Sequence, residues 1–309
     1  MMLWEDGTSW VEIAVQVAGI DAEVAADIFR QACPGGVAVQ PATRFDANSD
    51  AYVVDGDAPA VVRGYLPDDA NARRVRDSLR LALRMAPVQS APRWRRSRRL
   101  KESDWRESWK KHFGIQRIGR ALVVKPSWTQ YRLKSGEIVL EIDPGMAFGT
   151  GQHPTTAMCL HALEDLVRPG MRALDLGCGS GILAIAAAKL GASRAVALDI
   201  DPNAVRAASE NAAANGVLQA VEVREGTLSG DGRRGPSEVF DIIVANISGL
   251  TLERLAPALA ASLSRGGILI TSGFLDDAVE GLCAVYTGAG LRVDRVVEEG
   301  VWRAIIAHA

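Results

Sequence analysis

The sequence predicts an α/β protein: a doubly wound, mostly parallel sheet of seven strands, preceded by a small α+β domain of ferredoxin-like type. Three observations carry this. From residue 171 onward, apolar runs of strand length alternate with helical runs, as repeated βαβ units require. Between one such strand and its helix stand three glycines at alternate positions, Gly177, Gly179 and Gly181. A doubly wound sheet binds its ligand at such a turn. In the first hundred residues the order is instead β-α-β-β-α with room for a last strand, which suits an antiparallel sheet with helices on one face.

The length of 309 residues suits two domains. A hydrophobic content of 48%, a charged content of 23% and a net charge of −2 are ordinary for a globular chain and give no overall bias toward nucleic acid or membrane. Cys33, Cys159, Cys178 and Cys283 are far apart and form no C-x-x-C pair. They predict reduced, mostly buried thiols and no metal site. No basic region followed by an apolar core opens the chain, and no uncharged apolar stretch reaches the roughly 18 residues of a membrane span. The expectation is a cytoplasmic monomer.

In chain order, 10–17 (W-V-E-I-A-V-Q-V) alternates like a half-buried strand, and 21–32 has helical spacing with Asp21 as its N-cap. A short apolar run follows at 37–39. Residues 41–60, rich in Asp, Pro and Ala, read as loop. A strand at 61–66, a helix at 71–85 and a last strand near 94–100 complete the small domain. From 93 to 111 nine positive charges (Arg93, Arg95, Arg96, Arg98, Arg99, Lys101, Arg106, Lys110, Lys111) face three acids and interleave with Trp94, Trp105 and Trp109. Such a segment suits contact with RNA or with an acidic partner surface. The spacing of Trp105 and Trp109, both on one helical face, equally suits a solvated linker helix packed on its neighbour.

The second half opens with strands at 121–125 and 138–142, joined through Lys134-Ser135-Gly136. They lead into D-P-G-M-A-F-G-T-G-Q-H-P-T-T (143–156) and a helix at 156–167. A glycine-dense loop aimed at a helix N-terminus offers backbone N–H groups to an anion. Then come the strand 173–176, the glycine turn, a helix at 182–190 and a strand at 194–198 ending in Asp199. A helix from Pro202 to Asn211 follows, with a strand at 220–223 and a polar stretch at 226–237. The buried strand 240–245 ends at Asn246, and a helix at 251–263, a strand at 268–271, a helix at 276–288 and a final hairpin, 291–297 with 301–307, close the chain. The hairpin supplies an antiparallel edge. Gly177, Asp199 and Asn246 all fall at strand carboxyl ends, so three motifs converge on one crevice.

A dinucleotide fingerprint would place its third glycine at 182, which is Ile182; this argues against a nicotinamide-dependent oxidoreductase. D-x-G-x-G-x-G, with Asp175 before Gly177 and Gly179, resembles instead the first motif of class I S-adenosylmethionine-dependent methyltransferases. Together with D-P-G-M-A-F-G-T-G-Q-H-P-T-T, L-D-I-D-P, V-A-N-I and the entry W-K-K-H-F-G-I-Q-R-I-G-R-A-L-V-V-K-P-S-W, it resembles the PrmA family. Those bacterial enzymes methylate the eleventh protein of the large ribosomal subunit, at the stalk base. The match is close over residues 104–309 and holds only in outline before them.

The resemblance implies a substrate-recognition domain at 1–92, a basic Trp-containing linker at 93–112 and an S-adenosyl-L-methionine-binding catalytic domain at 113–309. It implies a Rossmann-like methyltransferase sheet and amino groups of the ribosomal protein, free or on the ribosome, as substrate. The family's cofactor contacts fall on Thr156, Gly177, Asp199 and Asn246, with Asp175 and Gly179 in the same turn. Thr156 at a helix start suits a carboxylate, or is a plain cap. Asp199 suits ribose hydroxyls, whereas Asp201, two residues on, suits a cap of the next helix. Asn246 is the candidate for chemistry. Many amino-group methyltransferases carry N-P-P-Y here, whereas this chain has Asn246-Ile247-Ser248-Gly249, so the aromatic wall must come from elsewhere. Phe148 and His153 are candidates to flank the methyl group, His153 equally as a structural residue of the loop. Cys178, inside the turn, reads as a small tolerated residue. His112, His161 and His308 show no partner in the sequence. The competing readings are a class I methyltransferase acting on RNA or a small molecule, and a non-catalytic cofactor-binding domain.

Overall fold

A computed structural model describes residues 9–40, 43–46, 51–54, 58–86, 88–89, 91–100, 114–143, 153–228 and 238–309, with the backbone alone at 23, 43–46 and 51–54. The chain divides into two compact units, Met1–Phe113 and Gly114–Ala309.

The first unit runs β1 (Trp10–Val17), α1 (Ala22–Arg30), β2 (Val37–Gln40), β3 (Thr43–Asp46), β4 (Ala51–Val54), β5 (Ala60–Pro67), α2 (Ala72–Met85), β6 (Arg93–Trp94) and β7 (Arg98–Leu100). Its antiparallel sheet has the order β2-β5-β1-β6, with β7 also on β1. This is the ferredoxin-like arrangement expected. Alternation sorts β1 cleanly: Ile13, Val15 and Val17 pack with Phe29 of α1 and with Leu79 and Leu83 of α2, while Trp10 packs with Tyr65 and Ala38 on the other face.

Three expectations are corrected here. The loop at 41–60 contains a two-stranded ladder, β3 on β4, with Phe45 opposite Tyr52. Its short β-branched and aromatic runs are hidden by the Asp- and Ala-rich average of the window. Asp21 stands at the N-cap position of α1, but its side chain makes no capping bond there: it ends a 3-10 turn, and both its carboxylate oxygens accept the Gln89 N–H at 3.0 Å. The linker read at 93–112 begins too early: Arg93–Trp94 and Arg98–Leu100 pair with β1, as the last strand expected near 94–100. The rest of the basic segment, with Trp105, Trp109 and His112, lies outside the described residues.

The second unit opens with a small sheet of β8 (Gln116–Ile118), β9 (Leu122–Lys125) and β10 (Ile138–Glu141). There follow α3 (Pro154–Leu166), β11 (Arg172–Leu176), α4 (Ile182–Lys189), β12 (Arg194–Asp199), α5 (Pro202–Ala214), β13 (Val221–Glu225), β14 (Phe240–Asn246), α6 (Gly249–Ala261), β15 (Leu263–Leu275), α7 (Val279–Gly288), β16 (Arg292–Glu299) and β17 (Trp302–His308). The main sheet has seven strands in the order β13-β12-β11-β14-β15-β17-β16. One apolar core lies under α3, α4 and α5, the other under α6 and α7, so both faces are covered.

Every neighbouring pair is parallel except those made by β17. The final hairpin supplies the expected antiparallel edge, with the reversed strand β17 inside and β16 outermost. Composition explains it. Ala304, Ile305, Ile306 and Ala307 of β17 are fully buried, whereas β16 (R-V-D-R-V-V-E-E) is largely exposed and charged, as a solvated edge requires. Among the described residues no helix is long and apolar enough to cross a membrane.

Candidate active site

Strand order reverses between β11 and β14, the switch point at which such sheets hold ligands. At its upper end β11 gives way to a turn in which Gly177, Gly179 and Gly181 all have positive φ, at 73°, 52° and 79°. Only glycine adopts three such angles in one turn without strain. A Cβ at Gly177 would lie 2.3 Å from Ile247 Cγ2, and one at Gly181 would lie 2.9 Å from Ala208 Cβ. The N–H groups of Gly177 and Cys178 donate to the Leu198 carbonyl at 2.8 and 3.0 Å, so the turn is pinned to the neighbouring strand. Burial pushes the Cys178 thiol up, in keeping with an inert packing residue.

Asp199 closes β12 and accepts from Gly179 N at 2.9 Å and from Asp201 N at 3.0 Å, one bond to each oxygen. Each carboxylate oxygen retains a further lone pair, so the group still has capacity for hydroxyl donors. Asp201 caps α5 through Asn203 N at 2.9 Å, which settles its role as a cap. Asp175 is buried beneath the turn. Its Oδ2 accepts from Ala184 N at 3.0 Å, and its Oδ1 has no partner among the described residues. Burial, aided by the charge of Asp199, pushes its carboxyl up to about 7.

The third wall meets the turn through Asn246, the last residue of β14. Asn246 Nδ2 donates to Thr156 Oγ1 at 3.2 Å, while its Oδ1 is buried without a partner among the described residues. The amide is thus fixed with its carbonyl free. Thr156 stands in the first turn of α3 and is not its cap. The helix starts two residues earlier than expected, with Pro154 in its first position and His153 as N-cap. His153 Nδ1 accepts from Thr155 N at 3.2 Å and lies 2.6 Å from Thr155 Oγ1. As acceptor, Nδ1 leaves the ring proton on Nε2. The N–H groups of Thr156 and Ala157 both return to the His153 carbonyl at 3.0 Å. Of the backbone N–H groups expected to await an anion, those of Thr155, Thr156 and Ala157 are taken by His153, those of 144–152 lie outside the described residues, and Thr156 offers its hydroxyl.

Residues not singled out in the sequence also belong to the site. Trp302, at the start of β17, meets the His153 ring edge-on at 4.7 Å, and its Nε1 is buried without a partner among the described residues. It is a candidate for the missing aromatic wall; in the sequence it is indistinguishable from any strand-opening core residue. Asn211 and Asn215 of α5 clamp the chain just before the glycine loop. Asn215 exchanges two hydrogen bonds with the Glu141 backbone, at 2.9 and 2.6 Å. Asn211 accepts from Asp143 N at 2.9 Å and donates to Asp143 O at 3.3 Å and Ser180 O at 2.9 Å. One side chain thus joins the entry of the loop to the cofactor turn. Their spacing of four places both on one helical face, the only signal the sequence carries.

The structure therefore brings Asp175, Gly177, Gly179, Asp199, Asn246, Thr156 and His153 to one end of the sheet. Phe148 and residues 144–152 of the loop lie outside the described residues. Of the histidines without an expected partner, His308 lies 4.0 Å from Asp294, and His161 and His153 oppose the upward shift that burial gives the Glu299 carboxyl.

A family model described as ribosomal protein L11 methyltransferase (PrmA) matches residues 9–309. A ribosomal protein L11 methyltransferase of Chloroflexus aurantiacus is 40% identical, covering 97% of this chain and 98% of that protein. Its namesake from Pelotomaculum thermopropionicum is 41% identical at the same coverages, 97% and 98%. The crystal structure of a ribosomal protein L11 methylase from Lactobacillus delbrueckii subsp. bulgaricus superposes with a TM-score of 0.58 at 32% identity, covering 63% of this chain and 98% of that one. On the match of residues 9–309 and these full-length identities, the chain belongs to the ribosomal protein L11 methyltransferase (PrmA) family.

Proposed function

We propose that this chain transfers methyl groups from S-adenosylmethionine to amino groups of ribosomal protein L11, the lysine side chains or the N-terminal amine. The observation that carries the reading is the buried, unpartnered Oδ1 of Asn246, held in place by Thr156. An acceptor oxygen left dry at a strand end lacks a hydrogen bond worth about 1–3 kcal/mol, and an incoming N–H supplies it.

The residues present fit the cofactor. The turn at Gly177 carries no side chain of its own, with Ile247 packed against it, the acid at the end of the next strand has lone pairs to spare, and two buried oxygens, on Asp175 and Asn246, are unpartnered among the described residues. Gly177 and Gly179 would lie beside it, Asp199 would accept from its ribose hydroxyls, and the Thr156 hydroxyl would meet its amino-acid end. When bound, S-adenosylmethionine supplies an electrophilic methyl group on a sulfonium. The chain's own part is to prepare the amine. A free lysine has a pKa of about 10.4 and arrives as ammonium. Burial at the end of β14 disfavours that charged form. Asn246 Oδ1 accepts an N–H and so turns the nitrogen lone pair toward the methyl. In this orientation the Thr156 hydroxyl takes the amide's NH2 group and Oδ1 is left for the amine.

Incubating the chain with labelled S-adenosylmethionine and bare ribosomal protein L11, then mapping the label by mass spectrometry, tests this. Label is expected on amino groups of that protein. Label only in RNA or in a small metabolite would move the substrate to another class while leaving the cofactor site intact.

A further inference from the structure

The first unit separates its charges along the chain. Residues 1–69 hold twelve acidic side chains and three arginines, whereas residues 70–100 hold ten arginines and one acid, Asp77. These ten lie on α2 and on β6–β7, and all but Arg76 are exposed. The two elements adjoin: the Arg80 guanidinium lies 5.4 Å from the centre of the Trp94 ring, which itself stacks on Phe29 in the core. The few acids at hand are used up. Asp68 pairs with Arg99 at 2.9 Å, and Asp77 lies 3.7 and 3.5 Å from Arg76 and Arg80. Arg73, Arg74, Arg84, Arg93, Arg96 and Arg98 form no ion pair among the described residues.

Like charges so concentrated repel one another and oppose folding, and an external polyanion relieves them. Every charge in the set is arginine. Its planar, weakly hydrated fork matches phosphate in two-point contacts that lysine does not make. We infer that the exposed face of α2 together with the β6–β7 edge binds the phosphate backbone of RNA. A ribosomal protein is carried on RNA, so RNA phosphates stand beside such a substrate, and the charge of this face complements them. The inference goes beyond methyl transfer and involves none of its residues.

Binding of a short fluorescein-labelled RNA hairpin to the full chain, followed by anisotropy across a salt series, tests it. The charge-reversal sets R73E/R74E/R84E and R95E/R96E/R98E lie on exposed positions of separate elements, and near-ultraviolet circular dichroism reports whether each keeps its fold. Each set is expected to weaken binding at least tenfold. Each should flatten the slope of log affinity against log salt by about two to three, one phosphate contact per arginine. Methylation of bare ribosomal protein L11 by each set is measured beside it. RNA affinity unmoved by both sets, or binding that ignores salt, overturns the inference. So does a rise in KM for the bare protein with RNA affinity unchanged, which would assign the face to the protein substrate. The anisotropy needs no methyl acceptor, so its outcome and that of the methylation assay are read separately.

Discussion

The hydrogen bond from Asn246 Nδ2 to Thr156 Oγ1 holds the amide with Oδ1 unpartnered among the described residues. Asn246→Ala removes the acceptor, and kcat is expected to fall by about 10²-fold or more, with cofactor affinity within a few-fold of wild type. Thr156→Val keeps the amide but frees it to rotate; a loss of about tenfold in kcat is expected, measured alongside the Kd of S-adenosylmethionine to separate chemistry from binding. Asp175 makes a prediction about pH. Its folded pKa is raised to about 7 from 3.8, so between these values the folded chain holds a proton that the unfolded chain has lost, and stability falls as pH rises through that window. The three-unit shift is worth about 4 kcal/mol at the upper end. Asp175→Asn, which retains an acceptor for Ala184 N, should abolish the fall and raise stability at pH 8 relative to wild type, as urea unfolding at pH 5 and pH 8 would show. Asn246 was legible in the sequence because it ends a buried apolar strand beside the glycine turn. The His153 cap was not: histidine is an uncommon N-cap, and the role depends on Nδ1 serving as acceptor, which no spacing reveals.

At the scale of elements, the glycine turn is the part most open to reading, since its conformational demand is written in residue type. Its supports are not. Gly273 has φ 99°, and a Cβ there would lie 2.4 Å from the Ile247 carbonyl, so it determines how closely β15 approaches the residue after Asn246. Gly273→Ala should cost about 2 kcal/mol or more of stability by urea unfolding, the combined effect of a left-handed backbone and a backbone clash. Asn211 ties the start of the glycine loop to the Ser180 carbonyl from a helix some thirty residues further on. Asn211→Ala leaves buried backbone groups unpaired and should cost about 2–3 kcal/mol. The same variant should lower kcat more than it lowers cofactor affinity. Such side chain-to-backbone bonds join distant segments, and sequence periodicity is blind to them. The hairpin of β3 and β4 was missed for a different reason, because four-residue strands fall below the window over which composition is averaged.

For the molecule as a whole, each of the two units has its own main sheet and its own apolar packing. A fragment of residues 114–309 is expected to bind S-adenosylmethionine within a few-fold of the full chain, by calorimetry, while its methylation of ribosomal protein L11 falls steeply. Retained activity on that protein would deny the first unit any part in recognising it. The alternation of strands and helices made the second unit's sheet readable from the sequence, and only the placement of β17 needed the third dimension. That placement governs how the chain is made. β17 follows every other strand of its sheet in the order of synthesis, yet it lies inside, between β15 and β16. Until it emerges, β16 has no neighbour, and the apolar face that Ile305 and Ile306 fill stays open. The sheet must therefore close after most of the chain has already left the tunnel. During that interval β15 and β16 offer two unpaired edges to each other or to a nascent neighbour. Folding of this unit is thus timed by translation, and a pause before Trp302 would lengthen the period in which it can go wrong.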